Sequence, residues 1–168
     1  MGTIVSKALV REAPFWERPL DTISDADWEA LCDGCGQCCL HKLEDEDTGA
    51  IYETNVACHL LDTCTAQCTD YANRRTVVPD CLQLTRETAG TLNWLPETCA
   101  YRLRANGETL PAWHYLISGS RETVKLWGVS VAGRVISEND AGPIEEHVII
   151  EGYDLFEMPD DIDDLEDR

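Results

Sequence analysis

Four thiols fall within eight residues in Cys32-Asp33-Gly34-Cys35-Gly36-Gln37-Cys38-Cys39, and five more cysteines follow at Cys58, Cys64, Cys68, Cys81 and Cys99. No cysteine lies outside positions 32 to 99. Two cysteines separated by two residues can close on one ion, because the intervening turn brings both Cβ atoms to the same side. Cys32, Cys35 and Cys38 extend this into C-x2-C-x2-C, the way a bacterial ferredoxin run begins. In that run the next cysteine comes four residues later and precedes a proline. Here Cys39 is immediate and Leu40 follows it, which argues against a simple ferredoxin. Adjacent residues point in different directions, so Cys38 and Cys39 either belong to different sites or one thiolate bridges two metals.

Two arrangements of the octapeptide stay open. In a helical turn Cys32, Cys35 and Cys39 share a face and Cys38 leaves it. In a glycine-loosened loop Cys32, Cys35 and Cys38 wrap one centre and Cys39 reaches away. The remaining ligands come from Cys58, Cys68, Cys81 and Cys99, making two centres of four thiolates with Cys64 as the spare thiol. A four-thiolate site suits tetrahedral zinc and iron–sulfur clusters equally, and two such centres of either kind leave a charge of about −4. His41 and His59 lie close enough in sequence to replace a thiolate, whereas His114 and His147 sit in apolar surroundings and read as core or surface residues. Arg74, Arg75, Arg86, Arg102 and Arg104 fall among the late cysteines, as surface charge or as donors beside the centres.

The elements that must position these thiols are short. Ser24 reads as a helix N-cap with Asp25 and Asp27 in the first turn, where the macrodipole favours acids. Ile23, Trp28 and Leu31 have spacings that face a core, and Gly34 and Gly36 halt the helix in the octapeptide. Phe15 and Trp16, held between Pro14 and Pro19, plug that core. His41-Lys42-Leu43 leads into the acidic stretch Glu44–Asp47, read as a solvated loop, and residues 51–56 alternate as a short strand. The span from Cys58 to Cys81 has little apolar pattern and follows the metal; Pro79-Asp80-Cys81 is a turn presenting a thiol. Pro96 starts a helix running to about Arg104, with Asn106-Gly107 as its stop. Residues 111–117 read as a loop or one turn, and Ser120 caps another short helix. Val129, Val131, Val135 and Ile136 read as a hairpin-like pair of strands around Gly133, and residues 147–150 as a last strand.

Bulk properties agree with a small α+β, irregular, metal-stapled domain of short helices and a few short strands. The 168 residues are 43% hydrophobic, enough for a core. The expected organisation is a flexible leader over 1–13, a cysteine-cluster domain over 14–150 and an acidic tail over 151–168. In that tail nine acids face Arg168 alone, and the composition is that of solvated chain. The net charge of −19 argues against binding nucleic acid or an anionic membrane electrostatically. No apolar run approaches the roughly 18 residues needed to span a bilayer, and no secretory leader is evident. Nine cysteines, an odd number with two adjacent, suit reduced thiols in the cytoplasm rather than a disulfide scaffold. The sequence has no Gly-x-Gly-x-x-Gly, phosphate loop, Gly-x-Ser-x-Gly or His-Glu-x-x-His.

The octapeptide, the spaced single cysteines and Cys68-x-x-Tyr71-x-x-Arg74 together resemble the zinc- or iron-chelating CxxCxxCC family, and more closely its YcgN-like branch of bacterial proteins. The elements carrying the resemblance are Phe15-Trp16-Glu17, residues 31–40, Val56-Ala57-Cys58, residues 68–75, Pro79-Asp80-Cys81 and residues 94–103. It spans roughly Pro14 to Ser137. The resemblance implies eight ligand cysteines, matching Cys32, Cys35, Cys38, Cys39, Cys58, Cys68, Cys81 and Cys99, with Cys64 outside the set. It implies a metal-chelating domain rather than a defined reaction. A related cysteine motif in flagellin lysine methylases, which the resemblance suggests carry an iron–sulfur cluster, tilts the cofactor toward iron, as [4Fe–4S], over zinc. Three functions compete: an iron–sulfur protein for redox, sensing or assembly; a zinc-stapled module for a protein partner; and a protein-modifying enzyme.

Overall fold

The computed structural model describes residues 12–149. The acidic tail, Ile150 and all but two residues of the expected leader lie outside them. Within these bounds the chain is α+β, with six short helices and one three-stranded sheet. No helix among the described residues is long and apolar enough to cross a membrane.

Pro14 and Pro19 each precede a single 3-10 turn, Phe15–Glu17 and Leu20–Thr22. Helix α1, Asp25–Glu29, starts at a complete capping box. Ser24 Oγ accepts the Asp27 N–H at 3.1 Å and the Asp27 carboxylate takes the Ser24 N–H at 3.2 Å, satisfying donors that a helix start leaves bare. Strand β1, Leu40–Glu44, pairs antiparallel with β2, Ile51–Ala57. After β2 comes a long irregular span whose one regular element is α2, Arg74–Val77. Helices α3 (Ala100–Ala105), α4 (Tyr115–Ser118) and α5 (Thr123–Leu126) follow. The two-residue β3, Ile136–Ser137, pairs in parallel with β2, which is thus the central strand, and α6 covers Glu138–Ala141.

Several expectations need correction. Residues 40–43 lie in strand β1 and of the acidic stretch only Glu44 joins it, residues 45–47 forming the expected loop; a register shift between Leu40 and Lys42 breaks the alternation that would announce the strand. Residues 96–99 make a turn, and the helix begins only at Ala100. The valines around Gly133 form no hairpin: Val129 and Val131 are buried in loop, and only Ile136–Ser137 joins the sheet. His147 ends a 3-10 turn, Ile144–His147, and Val148 makes a lone bridge to Thr54. Helix α5 starts after Glu122, although Ser120 Oγ accepts the Glu122 N–H at 3.2 Å.

Three apolar clusters share the interior. Ile23, Trp28, Leu31, Ala89, Ala100, Tyr101 and Leu110 form the first, with Phe15 and Trp16 packed against it. Leu40, Ala57, Leu61, Ala66 and Val131 form the second; Trp113, Val124 and Val129 form the third, touched by Cys35. The octapeptide therefore runs from one cluster at Leu31, past another at Cys35, to the remaining one at Leu40. With so little regular structure, side chains take over many backbone partners. Arg86 donates to the carbonyls of Ile23 and Ser24, Arg102 to Leu95, and Arg104 to Arg18 and Glu108. These arginines fasten loops.

Candidate metal centre

The end of α1 sets where the octapeptide begins. A helix leaves its last carbonyls without intrahelical partners, and here three rings take them. Tyr101 donates to Glu29 O at 3.2 Å, Tyr115 donates to Ala30 O, and His114 Nε2 reaches Leu31 O at 2.9 Å. His114 Nδ1 accepts the Leu116 N–H at 3.2 Å, so the proton of the neutral ring sits on Nε2. The ring is fully buried, and burial lowers its pKa below the ordinary imidazole value. His114 is thus a core residue that anchors the octapeptide and not a ligand.

Beyond Leu31 the chain becomes the glycine-loosened loop. Gly34 and Gly36 both adopt left-handed backbone, at φ +76° and +81°, a conformation that costs other residues roughly 1–2 kcal/mol. Asp33 is buried; its Oδ1 accepts the Cys35 N–H at 2.9 Å and its Oδ2 has no hydrogen-bond partner. Burial raises the Asp33 pKa. Two distant partners hold the second half of the loop. The buried Gln37 donates to Val129 O at 2.9 Å, and Cys35 O accepts the Val131 N–H at 2.8 Å. A 3-10 turn, Gln37–Cys39, then hands the chain to β1.

The thiols fall into two neighbourhoods. Cys32, Cys35, Cys38 and Cys99 lie close enough to feel one another's charge. Burial pushes Cys32 up to about 12, with Cys38 adding to it, and Cys99 up to about 11. Cys35 is likewise raised by burial, and Cys38 first by its hydrogen bond with the Cys39 thiol and then by burial. Cys32 and Cys38 retain solvent-accessible surface although protein crowds their thiols, as side chains do on the wall of a recess. Cys58, Cys68 and Cys81 form the second neighbourhood, with Cys58 raised chiefly by burial and then by the charges of Glu138, Cys81 and Cys68. Cys81 is presented by the expected turn, its N–H on Val78 O at 2.9 Å. The segment after Cys68 is tied to α1: Arg74 stacks on Tyr71 at 3.7 Å, and Tyr71 donates to Glu29 Oε2 at 2.6 Å.

Cys39 joins the neighbourhoods, since it directly follows Cys38 while its carbonyl accepts the Cys58 N–H at 3.0 Å. Cys64 stands exposed in a turn, its N–H held by Asp62 Oδ1 at 2.8 Å. The donor set fits a metal. Thiols that crowd and raise one another are relieved when shared cations replace their protons, and an all-sulfur set selects zinc or iron. Lys42 is the nearby protein cation, lowering the pKa of Cys38; its Nζ lies 3.3 Å from both Gln37 O and Leu40 O and 3.2 Å from Glu53.

The sheet register supplies a further group that the cysteine spacing does not reveal. Leu40, Ala57 and Ser137 align across the three strands, so Cys39, Cys58 and Glu138 leave the same edge. Glu138 Oε1 takes the His59 N–H at 2.7 Å and lies 2.5 Å from His59 Nδ1, while Oε2 lies 2.8 Å from His41 Nε2. Burial raises the Glu138 pKa, but the hydrogen bonds from His59 and the neighbouring His41 outweigh it, and the net shift is downward. His147 is elsewhere, between Asn55 Oδ1 at 2.9 Å and Ala141 O at 2.7 Å. Sequence reasoning missed Glu138 and the burial of Asp33 and Gln37. The acidic residue after Ser137 carries no local signal, because its role depends on a strand only two residues long.

A family profile described as CxxCxxCC, putative zinc- or iron-chelating domain, matches residues 31–100. A UPF0260 protein of Rhizorhabdus wittichii is 55% identical over 139 residues, covering 82% of this chain and 95% of that protein. One from Vibrio cholerae is 50% identical over 142 residues, covering 84% and 98%. One from Azotobacter vinelandii is 55% identical over 139 residues, covering 81% and 93%. No solved structure matches.

Proposed function

The chain belongs to the UPF0260 family and carries its zinc- or iron-chelating CxxCxxCC domain, and from that premise we propose a cytoplasmic metalloprotein in which eight thiolates hold two centres. Cys32, Cys35, Cys38 and Cys99 would hold the first; Cys39, Cys58, Cys68 and Cys81 would hold the second. The grouping is supported by the two charge-coupled neighbourhoods and by the sheet register that carries Cys39 and Cys58 to one edge. Cys64, exposed in its turn, is outside the set.

Iron–sulfur, with [4Fe–4S] first, is the preferred cofactor. The observation that carries this reading is the adjacency of Cys38 and Cys39 where the two neighbourhoods meet, with Cys39 O accepting the Cys58 N–H at 3.0 Å. Neighbouring residues would serve different centres, so the two redox groups would be joined through a single peptide link. Such clusters supply one-electron chemistry, suited to transfer, sensing or assembly. This chain's own contribution is to bury the thiols, fix the loop through Gln37 and Val131, and set Lys42 against the concentrated negative charge. The second reading is a zinc-stapled module that presents a surface to a protein partner. It is favoured by the irregular span from Cys58 to Cys99, which a structural ion would organise. A protein-modifying activity ranks third.

Purification without oxygen, followed by iron, acid-labile sulfide and zinc analysis, tests the assignment. Iron with matching sulfide is expected. Zinc without sulfide would replace the iron–sulfur reading by the zinc module, and absence of bound metal would refute both. The grouping is tested by Cys99→Ser, which should lose the metal of one centre and keep the other.

A further inference from the structure

At the sheet edge the second neighbourhood ends in groups other than sulfur. The side chains of Cys58, His59 and Glu138 bring one S, one N and one O donor atom within 4.8 Å of one another. They come from separate parts of the chain: Cys58 and His59 directly follow β2, and Glu138 opens α6 straight after β3. The parallel pairing of Ala57 with Ser137 is what delivers them together.

Two further observations point to a ligand. His41 Nε2 approaches Glu138 Oε2 to 2.8 Å but off the line of a hydrogen bond, so this nitrogen is buried beside a carboxylate and has no hydrogen-bond partner. His59 Nδ1 lies only 2.5 Å from Oε1, closer than the usual 2.7–3.2 Å for such a pair. Both imidazoles thus crowd one carboxylate, an arrangement that a cation shared between His59 Nδ1 and Glu138 would relax. The dimensions suit one. Nitrogen and oxygen donors about 2.0–2.1 Å from a tetrahedral zinc ion lie about 3.3 Å apart, and sulfur at about 2.3 Å lies about 3.6 Å from either. Opening the His59–Glu138 contact by less than about 1 Å meets those spacings, and the present sulfur separation is already within reach.

The site is also reachable. The side chains of His41, His59 and Glu138 keep 39%, 37% and 31% of their surface, and the net charge of −19 draws divalent cations toward the chain. Sulfur, imidazole and carboxylate together suit a borderline divalent ion rather than calcium or magnesium.

We propose that Cys58, His59 and Glu138 form a mixed-donor site for one divalent transition-metal ion, with His41 bracing the carboxylate through its other oxygen. The proposal rests on the thiolate reading in one respect: Cys58 then bridges this ion and the second thiolate centre. Glu138 lies outside the family match over 31–100, and of the three donors only Cys58 also belongs to the thiolate set.

Zn²⁺ is the probe. The full chain, purified without oxygen and with its native metal counted, is titrated with Zn²⁺ against a chromophoric chelator. One equivalent beyond the native content should bind. Glu138→Gln keeps the shape and an acceptor for the His59 N–H, and should lose that equivalent while retaining native metal and the parent's circular dichroism. His41→Ala should weaken it by roughly 10–100-fold, as loss of an outer-shell partner does. Unchanged Zn²⁺ binding in Glu138→Gln overturns the proposal, as does absence of the extra equivalent in the parent. Loss of native metal in Glu138→Gln also overturns it, since Glu138 would then support the thiolate centre instead. If Glu138→Gln fails to fold, His41→Ala and His59→Ala, on part-exposed side chains, decide by the same titration. Failure of the thiolate reading appears separately, as a parent protein that carries no native metal.

Discussion

Gly36→Ala is the substitution for which the structure gives the sharpest magnitude. Gly36 holds φ +81°, and a Cβ there would sit 2.7 Å from Val131 Cγ2 and 3.0 Å from Ala66 Cβ. Neither neighbour can yield easily. Val131 is 1% exposed and β-branched, so its χ1 is stiff. Ala66 is itself left-handed at φ 58° and pinned by its N–H to Asp62 O at 2.8 Å. The left-handed backbone costs about 1–2 kcal/mol and the overpacking about 1–3 kcal/mol, together about 2–5 kcal/mol. For a chain of this length each kcal/mol moves the melting midpoint by about 2–4 °C, so a fall of about 4–20 °C is expected. Gly107→Ala is the control: φ is +76° but nothing lies within 4 Å of the added atom, leaving only the backbone cost of about 1–2 kcal/mol. The assay is thermal unfolding of both metal-loaded variants beside the parent, with metal content measured on each. Gly36→Ala should melt clearly below Gly107→Ala and lose metal. Equal midpoints, or a Gly36→Ala protein with the parent's midpoint and full metal, would refute the packing account of the octapeptide.

Other outcomes follow from the same geometry. Cys64→Ser should leave metal content unchanged and Cys68→Ser should lower it, because Cys64 is exposed and Cys68 shares the field at Cys58; equal loss in elemental analysis would show the ligand set is misplaced. Stripping the metal should collapse protease resistance across residues 32–99, where α2 is the one regular element between Ala57 and Ala100; retained resistance and near-ultraviolet dichroism would refute the coupling of metal to folding. His114 should titrate below the ordinary imidazole value of about 6.5 when followed by NMR. Since the folded state disfavours its proton, stability is full above that value and declines as pH falls below it, where the unfolded chain protonates first; titration at or above the ordinary value would contradict its burial.

What could be read from the chain beforehand was whatever is encoded locally. Ser24 with Asp27 three residues on forms a capping box without help from elsewhere, and the structure contains it. The alternation of residues 51–56 reads as a strand because β2 buries one face, with Thr54 and Val56 inward. The cysteine cluster is legible because it is written in residue types and spacings alone. β1 escaped notice because its bulge breaks the alternation of its two leucines with polar residues. The valines near Gly133 misled for the opposite reason. They are strand formers by composition, yet Val131 spends its N–H on Cys35 O and packs against Gly36, which holds it in loop. Glu138 depends on a register set by a strand far away in sequence, and no local rule reaches that distance.

The supports of the octapeptide have a consequence for how the protein is made. Cys35 and Gln37 are held by Val131 and Val129, and Glu138 closes the sheet edge beside Cys58. Roughly 100 residues separate the motif from these partners, which at about 5–20 residues per second of synthesis is a delay of about 5–20 s. During that interval nascent chains carry clustered thiols with no shelter, open to oxidation or to the wrong ion. Each polypeptide thus displays these thiols before it can enclose them.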